Sequence, residues 1–299
     1  MKNHISLFIF AIALLSGPVS ANDLSMTAVK DTLASIPGEH NYIYVRTPLG
    51  EDEEKNYDEI TFYDGLGREL DFAQSYGADR AGAIMAHHHL IEYDSLGRKE
   101  KQWLSTNTSF SYMSPEDLKG GVLWDYHDAG KRSYLQTNYE SSPLNRITEQ
   151  YGVGDAWGDH PARMEYLTNI PADSLRCSFY FIDDNDSLIR RGDYRSGELQ
   201  VTKATDEDGK PTYTFVDKQG RTLLTRLGRG NQQADTYFVF DRFGRIRYVL
   251  PPMINDEISA GNLDLYAYQY LYDSFGRCIS KKLPGCAAIG YVYDKADRV

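Results

Sequence analysis

Tyr272-Asp273-Ser274-Phe275-Gly276-Arg277 is the stretch that decides the fold, because the same phrase recurs along the 299-residue chain. The copies share an aspartate in second place, and most have an aromatic residue first, a glycine fifth and an arginine sixth. The further copies are Tyr63-Asp64-Gly65-Leu66-Gly67-Arg68, Tyr93-Asp94-Ser95-Leu96-Gly97-Arg98, Val216-Asp217-Lys218-Gln219-Gly220-Arg221, Phe240-Asp241-Arg242-Phe243-Gly244-Arg245 and the worn Tyr293-Asp294-Lys295-Ala296-Asp297-Arg298. Thr205-Asp206-Glu207-Asp208-Gly209-Lys210 is a variant with lysine in the arginine place.

Each copy separates two alternating, aromatic-rich runs, which is the pattern of strand, tight turn and strand. Tyr266, Tyr268, Tyr270 and Tyr272 occupy every second position before one turn, so we predict that they share one face of a strand. We expect the aspartate to accept hydrogen bonds from backbone N–H groups of the turn. The glycine supplies the positive φ of a type I turn followed by a bulge residue. We expect the arginine stem to lie over a neighbouring tyrosine ring while its charged head stays in water.

The whole chain is therefore predicted to be all-β, with repeated antiparallel hairpins in a curved or spiralling sheet and one or two short helices in the N-terminal half. One helix is predicted from Leu24 to Ile36, ended by Pro37-Gly38. Another begins at Ser114-Pro115, and Gly120-Gly121 predicts that it is short. From about Leu175 onwards the pattern predicts uninterrupted β structure.

The first 21 residues have the pattern of a secretory signal peptide. Lys2 is followed by an apolar run from Ile5 to Leu15, and Val19-Ser20-Ala21 has the small residues of a cleavage site. Retention as a membrane anchor is the alternative, but the run is shorter than the roughly 20 residues that a spanning helix needs. We predict cleavage after Ala21, export through the periplasm to the cell surface or the medium, and no transmembrane segment in the mature chain. The formal net charge of −11 argues against a nucleic-acid partner.

The residue types that bind metals give no complete site. His87-His88-His89 is predicted to lie on a strand or loop, where at most His87 and His89 could face one ion. Asp183-Asp184-Asn185-Asp186 and Asp206-Glu207-Asp208-Gly209 resemble calcium loops only loosely, because both lack the closing glutamate, and we predict hairpin tips. We therefore predict no metal and no cofactor.

Three cysteines leave one thiol unpaired whichever pair forms. A local bridge between Cys278 and Cys286 and buried free thiols, Cys177 among them, are both compatible with the spacing.

No catalytic motif occurs with its required context: there is no nucleophile elbow, metalloprotease helix or phosphate loop. A glycosidase-like pair of carboxylates is defined by its separation in space, so the sequence does not test it. We predict that the chain is not an enzyme and has no catalytic residues. A tyrosine-rich sheet can also bind sugars or peptides, although strand alternation alone explains the spacing of the 23 tyrosines.

The phrase Tyr-Asp-x-x-Gly-Arg resembles the YD repeat of bacterial Rhs proteins and of the teneurins. The stretch from Asn41-Tyr42-Ile43 through the first copy to Ser142-Pro143-Leu144-Asn145-Arg146 looks like the uncharacterised amino-terminal domain of exported Rhs-type proteins. We accordingly predict a signal peptide at 1–21, this N-terminal domain with two YD motifs at 22–170, and a YD-repeat sheet at 171–299.

The resemblance implies a β-sheet that spirals into part of a shell, which in complete Rhs-type proteins can enclose a C-terminal toxin or other effector. We expect a non-catalytic, exported structural or interaction protein that is an N-terminal portion of a longer shell or a truncated gene product. Alternatives are part of the delivery shell of a polymorphic toxin system, or a surface protein that binds carbohydrate or peptide. The expected partners are the remainder of a longer chain or its effector, or carbohydrate or protein at the cell surface.

Overall fold

The computed structural model describes residues 40–48, 56–75, 85–127, 130–171, 173–229, 232–254 and 256–299. These residues form two compact units, which follow each other in sequence at Pro161 and Ala162. The predicted signal peptide 1–21 and the helix predicted from Leu24 to Ile36 lie outside the described residues. The all-β class is confirmed, since antiparallel strands account for most of the regular structure in both units.

Unit 1 is a set of antiparallel hairpins. β1 to β4 are neighbours in sequence order. β4 then pairs with β6 from Met85 to His88 and with β5 from Ile91 to Tyr93, and β5 continues to β7 and β8. The strands are β1 (Asn41–Pro48), β2 (Asn56–Tyr63), β3 (Glu69–Ser75), β4 (Met85–Tyr93), β5 (Lys99–Trp103), β6 (Thr106–Ser109), β7 (Tyr134–Tyr139) and β8 (Ile147–Tyr151).

The core of unit 1 follows from strand alternation. Ile60 and Phe62 of β2 are buried, and Phe110 after β6 packs in the same cluster. Tyr42 and Tyr44 of β1 pack against this cluster. Burying side chains of this size stabilises a fold by roughly 1.5–3 kcal/mol each, so this cluster holds β1, β2 and the segment after β6 together.

Helix α1 (Pro115–Asp125) starts as predicted and ends later than predicted. The Ser114 hydroxyl accepts a hydrogen bond from the Asp117 backbone N–H at 3.1 Å, which caps the helix. The prediction that Gly120-Gly121 ends the helix is wrong, because the helix continues to Asp125. A Cβ at Gly121 would lie 2.8 Å from Thr106 Oγ1, so this glycine permits close packing of α1 on β6.

Unit 2 is a second antiparallel sheet with one separate hairpin. β9 pairs with β12, and β12 to β19 are neighbours in sequence order. β10 and β11 pair only with each other within the described residues. The strands are β9 (Ala162–Thr168), β10 (Ser178–Ile182), β11 (Leu188–Asp193), β12 (Gln200–Thr205), β13 (Pro211–Val216), β14 (Thr222–Arg229), β15 (Gln232–Phe240), β16 (Ile246–Leu250), β17 (Tyr268–Tyr272), β18 (Cys278–Lys282) and β19 (Ile289–Gly290).

A helix interrupts the predicted β structure of unit 2. α2 (Ala260–Tyr266) begins after Ser259, whose hydroxyl accepts a hydrogen bond from the Asn262 N–H at 3.2 Å. The prediction of uninterrupted β structure after Leu175 is therefore wrong. The prediction that four tyrosines share one strand face is also wrong, because Tyr266 ends this helix and only Tyr268, Tyr270 and Tyr272 lie on β17. The serine cap is the local cause. The prediction that helices occur only in the N-terminal half is also wrong, because α2 lies in the C-terminal half.

No helix in the part of the chain that the structure describes is long and apolar enough to span a membrane.

Candidate functional site

The repeated phrase forms the same turn in every copy, illustrated by Tyr63 (aromatic position), Asp64 (entry aspartate), Leu66 (tip), Gly67 (glycine position) and Arg68 (exit arginine). The entry carboxylate accepts backbone hydrogen bonds from the tip at 2.8 Å and from the exit arginine at 2.9 Å through Oδ1. Its Oδ2 accepts a hydrogen bond from the arginine Nε at 2.7 Å. We call these turns, with their contacts to one another, the turn ladder; its entry aspartates are Asp64, Asp94, Asp217, Asp241, Asp273 and Asp294.

The predicted roles of aspartate and glycine in these turns are confirmed. The Nε–Oδ2 distance is 2.7 Å in five copies and 2.8 Å at Asp294. The glycine φ lies between 77° and 86° in the five copies that have glycine. The prediction that the arginine head stays in water is wrong for five copies, where the guanidinium pairs with its own entry aspartate and the side chain is largely covered; Arg98, for example, is only 15% exposed, whereas Arg298 is 81% exposed.

Five exit arginines also contact the next turn within their unit, which for Arg98 is the variant turn that begins at Tyr139. Each guanidinium lies over the ring at the aromatic position of that next turn, at a distance typical of cation–π contacts. The carbon Cζ lies 4.5 Å from the ring centroid for Arg68 and Tyr93, 4.7 Å for Arg98 and Tyr139, 5.1 Å for Arg221 and Phe240, 4.7 Å for Arg245 and Tyr272, and 4.9 Å for Arg277 and Tyr293.

A tyrosine at the aromatic position also binds the strand that follows the preceding turn. The Tyr272 hydroxyl donates to the Ile246 carbonyl at 3.0 Å, and Ile246 directly follows Arg245. Tyr93 and Tyr139 donate in the same way to the carbonyls of Glu69 and Lys99. A phenylalanine such as Phe240 cannot make this bond.

Where the preceding turn ends in an exit arginine, the glycine position of the next copy lies near that guanidinium. A Cβ at Gly97 would lie 3.0 Å from Arg68 Nη1, and one at Gly276 would lie 3.9 Å from Arg245 Nη1. Asp297 takes this position in the last copy with φ 58°, and its Oδ1 accepts a hydrogen bond from Arg277 Nη1 at 2.6 Å. An acid can therefore replace this glycine where a guanidinium is within reach.

A variant turn between β7 and β8 continues the ladder of unit 1. Tyr139 is at its aromatic position, and Glu140 takes the place of the entry aspartate. Arg146 binds both carboxylate oxygens of Glu140 at 2.7 Å. This bidentate contact, with a hydrogen bond from Ser142, lowers the pKa of Glu140 to about 2. Asn145 takes the glycine position with φ 54°.

The entry aspartates are held in the charged form. Burial of Asp241 raises the pKa of its carboxyl, but hydrogen bonds from the Arg245 backbone and side chain and from the Phe243 N–H outweigh burial, so the pKa lies below its ordinary value. The side chain of Asp241 is only 7% exposed. Removing Arg245 would leave this carboxylate with its backbone hydrogen bonds alone.

Large apolar side chains project into solvent from the tips of four turns. Their exposed fractions are 80% for Leu66, 66% for Leu96, 68% for Phe243 and 82% for Phe275. These tips contribute little to the core of either unit and are candidates for contacts with other molecules.

In unit 2 two buried arginines fix the β10–β11 hairpin against the main sheet. Arg226, 2% exposed, binds Asp235 and donates to the carbonyls of Ser174 and Arg176 just before β10. Arg247 binds Asp186 at the tip of the hairpin, with Nη2 2.8 Å from Oδ2. The hairpin is thus anchored at both ends.

Between this hairpin and the turns after β13 and β15 lies an open cleft of about 580 Å³, which we call the hairpin cleft. Phe179 and Phe181, two residues apart on β10, form one wall with their rings stacked at 5.6 Å. Tyr194 packs edge-on against Phe179 at 4.8 Å. Arg242 and Phe243, in the turn after β15, form part of the lining opposite.

One histidine of the triplet is hydrogen-bonded to a carboxylate in the core of unit 1. His88 is buried, with Nδ1 2.6 Å from Asp71 Oδ2 and Nε2 3.0 Å from the Ser109 carbonyl, while His87 is exposed. Burial lowers the pKa of His89. No group of three possible metal ligands occurs among the described residues. The prediction that the two acidic segments, 183–186 and 206–209, form hairpin tips is confirmed, since they connect β10 to β11 and β12 to β13.

All three cysteines are free thiols. Cys177 is buried, and burial raises the pKa of its thiol to about 12. The local Cys278–Cys286 bridge is not present, and Cys286 is exposed.

Sequence reasoning missed the partners that meet only in the folded chain. Asp71 and His88, Arg226 and Asp235, and Arg247 and Asp186 meet only through strand pairing or hairpin packing. No local motif marks these pairs. The link between an exit arginine and the next aromatic residue had a signal, because both positions recur in the phrase.

Comparisons with known proteins agree with this geometry at the level of the fold. Residues 41–168 match the family described as "Domain of unknown function (DUF6443)". The chain is similar to the crystal structure of TcdB2-TccC3, with 13% identity, a TM-score of 0.53, and coverage of 87% of this chain and 12% of that one. It is also similar to the structure of TcdB2-TccC3-Cdc42, with 14% identity, a TM-score of 0.54 and the same coverages.

These findings together indicate an Rhs-like fold. The chain spans about an eighth of the length of the structures it matches. No curated protein matches the sequence.

Proposed function

We propose that the chain is a portion of an exported, non-catalytic YD-repeat protein that serves as a structural scaffold or interaction surface. The observation that carries this proposal is the turn ladder, in which each exit arginine joins its own turn to the next one. In these links the charged residues of the repeat stabilise the packing of neighbouring hairpins. The Rhs-like fold supports the same interpretation.

The likeness to TcdB2-TccC3 supports a place within a larger assembly. The chain aligns with 12% of that protein's length, as a segment of a longer repeat structure would. We therefore propose that its partners are other segments of a longer chain, or an effector that such a chain holds. Delivery of an effector by such an assembly is the second candidate function, and the same likeness favours it.

Export is tested by the N-terminus of the secreted protein. Cells that produce the full chain should release or display a protein that begins at Asn22, as measured by mass spectrometry of the N-terminal peptide. Replacing the apolar run with charge, for example Leu14→Arg together with Leu15→Arg, should keep the chain uncleaved inside the cell. An uncleaved chain in the cytoplasm of cells with the natural sequence would contradict export.

A second experiment distinguishes a non-catalytic scaffold from a hydrolytic enzyme. The purified chain should give no turnover with panels of chromogenic glycosides, peptides and phosphate esters. It should also resist proteolysis, and Arg245→Ala should make unit 2 sensitive to protease, because the variant loses one complete ladder link. Turnover that co-purifies with the natural chain and is lost on substitution of a single carboxylate would overturn the proposal.

A further inference from the structure

The volume and the lining residues of the hairpin cleft are those of a ligand-binding site rather than of a packing defect. Its volume of about 580 Å³ lies within the range of roughly 300–1,000 Å³ usual for small-ligand clefts. Phe179, Phe181 and Tyr194 on one side and Phe240 and Phe243 on the other give it aromatic walls. Aromatic rings of this kind favour a planar or apolar group that can stack or pack edge-on.

The walls of the cleft are held in place before any ligand arrives. The rings of Tyr180 and Tyr237 pack at 4.9 Å beneath the hairpin, and the Tyr237 hydroxyl accepts a hydrogen bond from the Ser178 N–H at 3.3 Å. Arg226 and Arg247 anchor the two ends of the hairpin. A site fixed in this way loses little conformational entropy when it binds.

One guanidinium of the cleft lining, that of Arg242, has no ion-pair partner among the described residues. Arg221 is paired with Asp217, and Asp241 is paired with Arg245. The Arg242 guanidinium lies 4.9 Å from the Phe243 ring centroid and makes no hydrogen bond or ion pair with any residue that the structure describes. In a chain of net charge −11, a free guanidinium beside aromatic rings is suited to a carboxylate ligand.

We propose that the hairpin cleft binds an extended peptide segment that carries an aromatic side chain next to a carboxylate. The aromatic side chain lies between the Phe179–Phe181 wall and Phe243, and the carboxylate pairs with Arg242. The Gln219 side chain, which has no partner among the described residues, is placed to bind the peptide main chain.

An acidic sugar fits this lining less well. A sugar ring presents several hydroxyl groups, each of which needs a hydrogen-bond partner when it is buried. Arg242 and Gln219 are the two charged or amide side chains of the described lining that are not already paired. A peptide needs fewer polar partners because its aromatic side chain needs none.

Calorimetry on the full chain tests this proposal with three capped tetrapeptides. The first alternates aspartate and phenylalanine, the second replaces aspartate by lysine, and the third replaces phenylalanine by glycine. We expect the first to bind at least about tenfold more tightly than the other two, because only it supplies both charge and ring. Failure of the first peptide to bind at millimolar concentration, or equal binding of the lysine peptide, would contradict the proposal.

Two exposed residues of the cleft have matched controls in other turns. Arg242→Glu should weaken binding of the aspartate–phenylalanine peptide about tenfold, and Phe243→Ser about fivefold, without loss of thermal stability. Lys295→Glu reverses a charge at the same turn position outside the cleft, and Phe275→Ser removes the equivalent tip; both should bind within about twofold of the natural chain.

Equal loss in a control and in its cleft variant would overturn the assignment. Trigalacturonic acid is the competing ligand class. If it binds more tightly than the peptide and loses affinity with Arg242→Glu, the cleft is an acidic-sugar site and the peptide proposal is wrong.

Discussion

Two pairs of successive turns in unit 2 differ in a way that explains the repeated phrase, because one pair is joined by a link of the turn ladder and the other is not. Between the turns of Asp241 and Asp273, Arg245 lies 4.7 Å from the ring of Tyr272 and donates from Nη1 to the Asp273 carbonyl at 3.3 Å. Between the turns of Asp206 and Asp217, lysine and valine occupy the corresponding positions. Lys210 pairs instead with Asp208 in its own turn, where both side chains are largely exposed.

The comparison shows that the aromatic residue of one copy serves the arginine of the copy before it. Where the preceding copy has Lys210, the next copy has Val216 and no ring. Where the preceding copy has Arg221, the next copy has Phe240 beneath its guanidinium. The structural repeat therefore runs from the exit arginine of one copy to the aromatic residue of the next copy, and not from the first to the sixth residue of one phrase.

The largest expected difference between the two pairs of turns is in stability. Arg245→Ala should lower the free energy of unfolding of unit 2 by about 2–3 kcal/mol, because it removes the cation from a carboxylate that is nearly buried. Lys210→Ala should change it by less than about 0.5 kcal/mol, because an exposed ion pair contributes little. Urea unfolding followed by circular dichroism measures both values.

Equal effects of these two substitutions would show that the turn aspartates, rather than the arginine links, stabilise the sheet. Arg245→Lys is the control for charge. It keeps the cation but not the planar fork that binds Asp241 and covers Tyr272, so it should recover less than half of the loss.

The glycine position gives the next largest effect. Gly276→Ala should cost about 1–2 kcal/mol, because alanine is unfavourable at a φ of 86°. Gly276→Asp should cost less, because the Arg245 guanidinium lies close enough to pair with the new carboxylate, as Arg277 pairs with Asp297. Thermal unfolding monitored by fluorescence measures the difference.

The matched control for this prediction is Gly209, which also has a positive φ of 77° but has no atom within 4 Å of its Cβ position. Gly209→Asp should therefore gain nothing over Gly209→Ala beyond the slightly better tolerance of aspartate for this backbone region. An equal advantage of aspartate at both sites would exclude pairing with Arg245 as the cause.

The turns were predictable from sequence because their interactions are local. Asp241, Gly244 and Arg245 lie within five residues, so hydrogen bonding and positive φ follow from the order of residue types. The end of α1 was not predictable in the same way. Gly121 is a helix breaker by propensity, but close packing on Thr106 gives it a tertiary role that propensity does not include.

The hairpin cleft was not predictable from the sequence, for a different reason. Phe179 and Arg242 are far apart in the chain, and they line one cleft only because the β10–β11 hairpin lies over the sheet. Arg226 and Arg247, which fix that hairpin, have no motif of their own. Long-range packing of this kind leaves no periodic signal in one sequence.

Links with a tyrosine at the aromatic position, such as Tyr272, and the link with Phe240 should differ by a smaller free energy of unfolding. Tyr272→Phe should lower the free energy of unfolding by about 1 kcal/mol, because it removes the hydrogen bond to the Ile246 carbonyl and keeps the ring. Phe240→Tyr should leave stability equal or raise it by up to about 1 kcal/mol, since it adds the hydroxyl that the other links use. The midpoints of urea unfolding measure both changes in stability, provided that the m-value is the same for the variants and the natural chain.

A loss on Phe240→Tyr as large as that on Tyr272→Phe would show that the hydroxyl does not fit there, and that the Phe240 link is packed differently from the other four.

The smallest and most specific effect is the construction of the missing link. Lys210→Arg and Val216→Tyr should each change stability by less than about 0.5 kcal/mol, because neither partner is present alone. Together they should be more stable than the sum of the single changes by about 0.5–1 kcal/mol, the range of a partly exposed cation–π pair. The corresponding cycle on Arg245 and Tyr272, using Arg245→Lys and Tyr272→Val, should show a coupling of the same sign. Additive behaviour in the first cycle with coupling in the second would mean that a ladder link requires the backbone spacing of its own hairpin as well as the two residue types.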